Sequence, residues 1–287
     1  MTDGIASAVV TGASSGIGFE TVRLLAGRGT RVFGSVRDAG GADRLRALGP
    51  VVTPLILDVR DPDAVARAAR QVGDALDGHT LGGLVNNAGV AIPGPVLAQP
   101  ADEIREQIET NLIGAITVTR AFAPLLGADR SRRGPPGRIV MMSSIAGILG
   151  QPFLSGYVAA KHGLEGFSDT LRRELQLLGI DVVVIGPATV ATPIWDKAMA
   201  HLGRYAGTPY GEAFDRGVRT LSGIGRDHGL APEAVAGTVW TALTARAPAA
   251  RYAPARHPLV EQGLARIAPR RLLDRLFGRV LGLRPQR

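Results

Sequence analysis

Tyr157 and Lys161 stand four residues apart in the stretch Ser-Gly-Tyr-Val-Ala-Ala-Lys-His-Gly-Leu-Glu at 155–165. Leu164, Phe167, Leu171 and Leu175 continue it at helical spacing. Positions i and i+4 of a helix share a face, so the phenol and the ammonium can enter one small volume. A free phenol ionises near ~10, so only about one in a thousand is phenolate at neutral pH. A neighbouring ammonium favours the phenolate and is expected to pull that value down. Each tenfold step is worth ~1.4 kcal/mol, so two or three such steps make Tyr157 a usable general acid/base. Ser144 closes the apolar run Arg138-Ile-Val-Met-Met-Ser-Ser144, which reads as a buried strand. A hydroxyl at the C-terminal end of a strand falls where open α/β sheets place their ligands.

A Tyr-x-x-x-Lys pair alone occurs by chance in many helices, and composition gives this one its weight. Of the 33 basic residues, lysine stands only at 161 and 197, and the other 31 are arginine. A compact, tunable ammonium has been kept where a guanidinium, always charged, could not replace it.

The elements that must position these groups follow in order. Residues 5–11 read as a short buried strand, and Gly12-Ala-Ser-Ser-Gly16-Ile-Gly18 follows at once, opening a helix to about Ala26. Strand, glycine turn and helix together present backbone N–H groups and a helix N-terminus to a phosphate. A second strand, 31–36, ends at Arg37-Asp38. An acid near this point takes the ribose 2′-hydroxyl of NAD, whereas an arginine takes the 2′-phosphate of NADP. Arg37 favours NADP(H), and Asp38 keeps NAD(H) open. A third strand, 51–57, closes on Asp58-Val59, where the carboxylate either accepts from an adenine amino group or caps a turn. Asp61-Pro62 begins an amphipathic helix, with Asp as cap and Pro at its first position. A fourth strand exits through Asn86-Asn87-Ala88-Gly89, suited to a chain turning beneath a ligand or to stapling neighbouring strands. One helix is expected over 102–126, with Asn111 as a polar group inside an apolar stretch. A sixth strand, 180–185, leads into Gly186-Pro187-Ala-Thr-Val190-Ala-Thr192-Pro193. The alternation of strands and helices predicts one α/β domain, a doubly wound parallel sheet of Rossmann type.

The totals set bounds. With 45% hydrophobic and 20% charged residues, 287 residues suit one large globular domain. The absence of cysteine removes disulfides, thiol catalysis and thiolate metal sites. The five histidines, at 79, 162, 201, 228 and 257, lack ligand-like spacing, so no metal is expected. Neither a signal peptide nor a transmembrane run is recognisable, and a cytoplasmic protein is expected. The net charge of +8 lies wholly between Arg246 and Arg287, where ten arginines face Glu261 and Asp274. The rest of the chain is balanced, which argues against a nucleic-acid surface.

Taken together, Thr-Gly-x-x-x-Gly-x-Gly at 11–18, Asn-Asn-Ala-Gly at 86–89, Asn111, Ser144 and Tyr-x-x-x-Lys at 157–161 resemble the short-chain dehydrogenase/reductase family. The resemblance is strong from Thr11 to about Leu178 and looser to Thr192. It implies a nicotinamide-dependent oxidoreductase acting on an alcohol or ketone. In that reading Tyr157 exchanges a proton with the substrate oxygen and Ser144 hydrogen-bonds that oxygen. Lys161 holds the nicotinamide ribose and lowers the Tyr157 pKa, while Asn111 anchors a proton-relaying water. Gly12, Ser14, Ser15, Gly16, Ile17, Gly18, Arg37, Asp58, Val59, Asn87, Ala88, Gly89, Pro187, Val190 and Thr192 would line the cofactor, with Tyr157 and Lys161. Ala188 departs from the glycine usual after this proline.

The segment 194–224 corresponds to the family's substrate lid. Its Ile194, Trp195, Met199, Leu202, Tyr205, Tyr210, Phe214 and Leu221 either line a hydrophobic alcohol or ketone or pack the lid's own small core. Residues 258–283 read as two short amphipathic helices broken near Pro269. Leu272, Leu273, Leu276, Phe277, Val280 and Leu281 form a stripe flanked by Arg271, Arg275 and Arg279, set to pack on the body or a partner subunit, or to lie on an anionic membrane. This tail, with Arg251-Tyr252, resembles the hydroxysteroid- and retinol-dehydrogenase-like branch, in which membrane association is common. A homodimer or homotetramer is expected from the same resemblance. Two other functions stay open: a catalytically silent NADP(H)-binding regulator, and a ketoreductase for a polar biosynthetic intermediate.

Overall fold

The computed structural model describes residues 4–256, 262–263 and 267–283. Seven strands form one sheet: β1 (Ser7–Val10), β2 (Arg31–Val36), β3 (Val52–Ile56), β4 (Gly83–Asn86), β5 (Arg138–Met142), β6 (Asp181–Ile185) and β7 (Arg251–Tyr252). Their order is β3-β2-β1-β4-β5-β6-β7, and every pair is parallel. Strands covered on both faces read as near-continuous apolar runs, as Ser-Ala-Val-Val and Asp-Val-Val-Val-Ile do here.

The pleat sends alternate side chains to opposite layers. Val9, Leu84, Ile139, Met141, Val182 and Val184 meet α3 (Pro62–Ala75), α5 (Gly114–Phe122) and α6 (Ser155–Leu175) in one core. Ala8, Val10, Val32, Val85, Val140 and Val183 meet α1 (Gly16–Gly27), α2 (Ala39–Arg46) and α9 (Pro232–Thr244) in the other. The other α-helices among the described residues are α4 (Ala101–Ile108), α7 (Ile194–Met199), α8 (Gly211–His228) and α10 (Arg270–Leu281). The chain leaves β1 toward β2 and β3, then returns across it to β4. The carboxyl ends of β1 and β4 therefore flank the topological switch point, where such sheets open a crevice.

The helix expected over 102–126 is not continuous. A π-helical turn, Glu109–Ile113, separates α4 from α5, and a second follows at Pro124–Ala128. The first inserts a residue into the ladder and turns the face that follows, and such turns gather at functional sites. The second closes the helix, with Gly127 at φ +108°.

At the C-terminus only part of 258–283 lies within the described residues. There the stripe divides. Leu281 is buried, with its Cδ2 3.6 Å from where a Gly217 Cβ on α8 would stand. Leu273 and Phe277 lie on the same half-buried side. Leu272, Leu276 and Val280 face outward at 54%, 54% and 47% exposure. The two readings of the stripe thus apply to opposite sides of one helix. Among the described residues, no helix is long and apolar enough to cross a membrane.

Candidate functional site

The glycine turn closes tightly on the fourth strand. Gly12 has φ +66° and Gly16 φ +56°, in the left-handed region where glycine is at home. A Cβ on Gly12 would stand 2.7 Å from Ala88 Cα, and one on Gly18 would run into the Gly12 carbonyl and stand 2.5 Å from Asn87 Nδ2. These glycines leave a cradle of bare backbone at the N-terminus of α1. Asn87 fixes it, its Nδ2 donating to the Thr11 carbonyl at 2.9 Å and the Gly12 carbonyl at 3.1 Å. Asn86 ties β4 to α5, its Nδ2 donating to Thr119 Oγ1 at 2.9 Å.

A cavity of about 440 Å³ runs from this cradle along the switch point. Of the residues expected around a cofactor, Gly12, Ser14, Ser15, Gly16, Ile17, Gly18, Arg37, Asp58, Val59, Asn87, Ala88, Gly89 and Thr192 all line it. Arg37 is exposed at the tip of β2 and joins no ion pair among the described residues. Asp38 does not contest the cavity, because its carboxylate caps α2, accepting from Gly41 N at 2.7 Å. Asp58 lines the cavity and also caps a turn, its Oδ1 accepting from Arg60 N at 2.9 Å. Its carboxylate is held by Arg60, at 2.7 Å from Nη2 and 3.1 Å from Nε, and that guanidinium holds its pKa below the usual range. Arg60 also lines the cavity and went unread in the sequence, although its place two residues after Asp58 was a usable signal.

A second pocket of about 190 Å³ shares Ile17, Asn87, Gly89, Ala91, Thr192 and Ile194 with the first. Ser144, Tyr157 and Lys161 line it together, as do Pro187 and Val190. The convergence is built from β5 and α6. Ser144 follows the end of β5 and accepts from Ala146 N at 3.1 Å. Lys161, 4% exposed, donates to the Met142 carbonyl at 2.7 Å and stands 5.6 Å from the centre of the Tyr157 ring. Burial lowers its pKa to about 8, partly offset by the Glu165 carboxylate one turn along.

The electrostatics of the phenol differ from expectation. Burial pushes the Tyr157 pKa up, and it is the hydrogen bond with Ser144 that pulls the other way. The desolvation of an apolar pocket outweighs any lowering by the ammonium four residues on.

Asn111 lines neither cavity. It sits in the π turn, 1% exposed, its Oδ1 accepting from Val90 N at 2.7 Å and its Nδ2 donating to Val90 O at 2.8 Å. Both ends of its amide clamp the cavity wall. The lid aromatics divide as well. Ile194, Trp195 and Leu221 line the second pocket, joined by Ala198 and Val218. Tyr205 and Phe214 instead stack edge-to-face at 4.8 Å within a small core containing Met199 and Leu202.

A family model described as short chain dehydrogenase matches residues 6–203. The chain belongs to the short-chain dehydrogenase/reductase family. An NADPH-dependent 3-dehydrocapnine reductase of Ornithobacterium rhinotracheale is 38% identical to this short-chain dehydrogenase over 274 residues, covering 94% of this chain and 95% of the relative. Mouse retinol dehydrogenase 16 is 35% identical over 191 residues, 66% of this chain and 58% of that one. A short-chain dehydrogenase/reductase of Burkholderia phymatum, solved with NAD, superposes at a TM-score of 0.77 with 26% identity and 96% coverage of each chain. The chain has a bare-backbone cradle and a switch-point cavity, with Ser144, Tyr157 and Lys161 in the adjoining pocket. The Gly12–Gly18 cradle, which a Cβ would fill, fits the dinucleotide's phosphates.

Proposed function

We propose that this protein is an NADP(H)-dependent reductase of hydrophobic ketones, working reversibly on the corresponding secondary alcohols. The observation that carries the reading is the meeting of Ser144, Tyr157 and Lys161 in one pocket contiguous with the dinucleotide cavity. The preference for NADP(H) rests on Arg37, free to meet a 2′-phosphate, while Asp38 is occupied as a helix cap.

When bound, the nicotinamide supplies a hydride to the substrate carbon or accepts one from it. Ser144 holds the substrate oxygen by its hydroxyl. Tyr157 gives its proton to that oxygen in reduction and takes one from it in oxidation. Lys161, beside the ring, favours the phenolate that remains after the proton leaves. Asn111 holds the Val90 wall against the cavity. Met142, Ile145, Leu154, Trp195, Val218 and Leu221 give the smaller pocket an apolar lining. That pocket is below the ~300 Å³ typical of drug-sized ligands, which suits a ketone of modest size or one arm of a longer one.

The test is a ketone panel with NADPH, followed by loss of the reduced-nicotinamide absorbance, on wild type and Tyr157→Phe. Turnover by wild type and a drop of about 10²–10⁴-fold in kcat for the variant are expected. Tight NADPH binding without turnover of any ketone or alcohol would favour the silent regulator instead.

A second reading concerns α10. Its outward Leu272, Leu276 and Val280 run beside Arg271, Arg275 and Arg279, the pattern of a helix lying on anionic lipid. Flotation with anionic vesicles, lost on changing Leu272 and Leu276 to Glu, would support peripheral membrane contact. Equal flotation of both chains would remove it.

A further inference from the structure

Helix α7 is short, yet its sides face different cavities. Trp195 and Ala198 line the smaller pocket, whereas Lys197 lines the larger one, as does His201 one turn on. The root of the helix is fixed against the glycine turn, because a Gly16 Cβ would stand 3.1 Å from Thr192 Cγ2. Lys197 N bonds the Pro193 carbonyl at 3.3 Å, which places this residue one turn above that contact. Trp195 Nε1 donates to the Val190 carbonyl at 2.7 Å and pins the other side. The far end is latched by Arg204, whose guanidinium meets Glu103 of α4 at 2.6 Å.

The cavity that Lys197 lines has an anion-receptive end, where the N-terminus of α1 and the bare backbone of the turn point inward. Arg37 lies at the tip of β2, at a different place along the same wall. Lys197 joins no ion pair among the described residues. Burial and the Arg204 charge hold the His201 pKa below its ordinary value, so this ring is neutral at neutral pH. Lys197 is then the charge that α7 turns toward the cavity. A lysine is a point charge with three donors on a flexible stem, well matched to phosphate oxygens from an exposed position.

We propose that Lys197 closes over the pyrophosphate of the bound dinucleotide from the lid side and so couples cofactor binding to the substrate wall at Trp195 and Ala198. This rests on the dinucleotide reading above and adds to it a binding residue and an order of events. With the ammonium drawn down, α7 is held in place, and the side that lines the smaller pocket is held with it. The pyrophosphate is common to NAD(H) and NADP(H), so the clamp does not distinguish the two.

Calorimetric titration of NADPH and NADH into wild type, Lys197→Gln, Lys197→Arg and Arg37→Gln tests the idea. Lys197→Gln is expected to raise both dissociation constants by a common factor of about ten, while Lys197→Arg, keeping the charge, recovers most of the loss. Arg37→Gln weakens NADPH alone. In hydrogen exchange, NADPH slows the amides of 194–202 in wild type and leaves them unslowed in Lys197→Gln. Dissociation constants within twofold of wild type for both nucleotides would overturn the clamp and leave the oxidoreductase reading standing. A loss confined to NADPH would also overturn it, by assigning Lys197 to the 2′-phosphate. A wild-type chain that binds neither nucleotide would remove both proposals.

Discussion

Lys161 is a charge held where water barely reaches, and this cost can be measured apart from catalysis. Its pKa falls from 10.5 to about 8 on burial, which corresponds to about 3.4 kcal/mol of preference for the neutral amine. The folded value lies below the unfolded one, so between the two the unfolded chain binds more protons and stability must rise with pH. The penalty is full below about pH 8, where the folded lysine is charged, and is gone above about pH 10.5, where neither state is. The comparison is best made between Tyr157→Phe and Tyr157→Phe/Lys161→Met, which removes the neighbouring phenol from both. Urea unfolding followed by circular dichroism gives each stability across that range, and with no cysteine in the chain thiol oxidation does not intrude. Terms independent of pH, including the lost bond to the Met142 carbonyl, cancel in the trend. The stability of the lysine chain relative to the methionine chain is expected to climb by about 2–3 kcal/mol from about pH 7 to about pH 10.5. A flat difference, or one that falls with pH, would refute the account of a desolvated ammonium.

Three further outcomes are expected. Gly18→Ala drives a methyl into the Gly12 carbonyl and Asn87 Nδ2, so dinucleotide affinity should fall at least tenfold by titration calorimetry, with a lower melting temperature. Glu165 and Arg251 pair at 3.1 Å with 18% and 15% exposure; Arg251→Met should cost roughly 2–3 kcal/mol in urea unfolding, discounted for that exposure, and Arg251→Met/Glu165→Gln should recover part of it. Asp38→Ala removes the α2 cap and should cost about 1 kcal/mol by the same measurement, while the ratio of NADPH to NADH affinity stays as in wild type.

The strands were legible because a sheet covered on both faces needs unbroken apolar runs, and Asp181–Ile185 is such a run. The cradle and the triad were legible because their residues are local in sequence: three glycines within one turn, and a phenol and an ammonium on one helical face. What escaped depends on neighbours distant in the chain. The Tyr157 pKa follows from how many atoms surround the hydroxyl, a tertiary quantity that spacing does not carry. The π turn at Glu109–Ile113 leaves the apolar period nearly intact, so the sequence reads as one helix where there are two. Tyr205 and Trp195 look alike as lid aromatics, and only packing sends one to a private core and the other to the pocket. That the Asp38 carboxylate caps its own helix rests on one bond, to Gly41 N, which the sequence does not display.

The two-residue strand β7 has a consequence out of proportion to its length. Ala250 and Tyr252 accept from Val184 and Gly186 at 2.9 Å each, and Gln262 Nε2 donates to the Gly186 carbonyl at 2.9 Å. This short segment therefore blunts an otherwise open margin of the sheet, whose row of amides would template pairing with another copy. A chain cut back before Arg251 would offer that margin to its neighbours, and self-association would be its first visible failure.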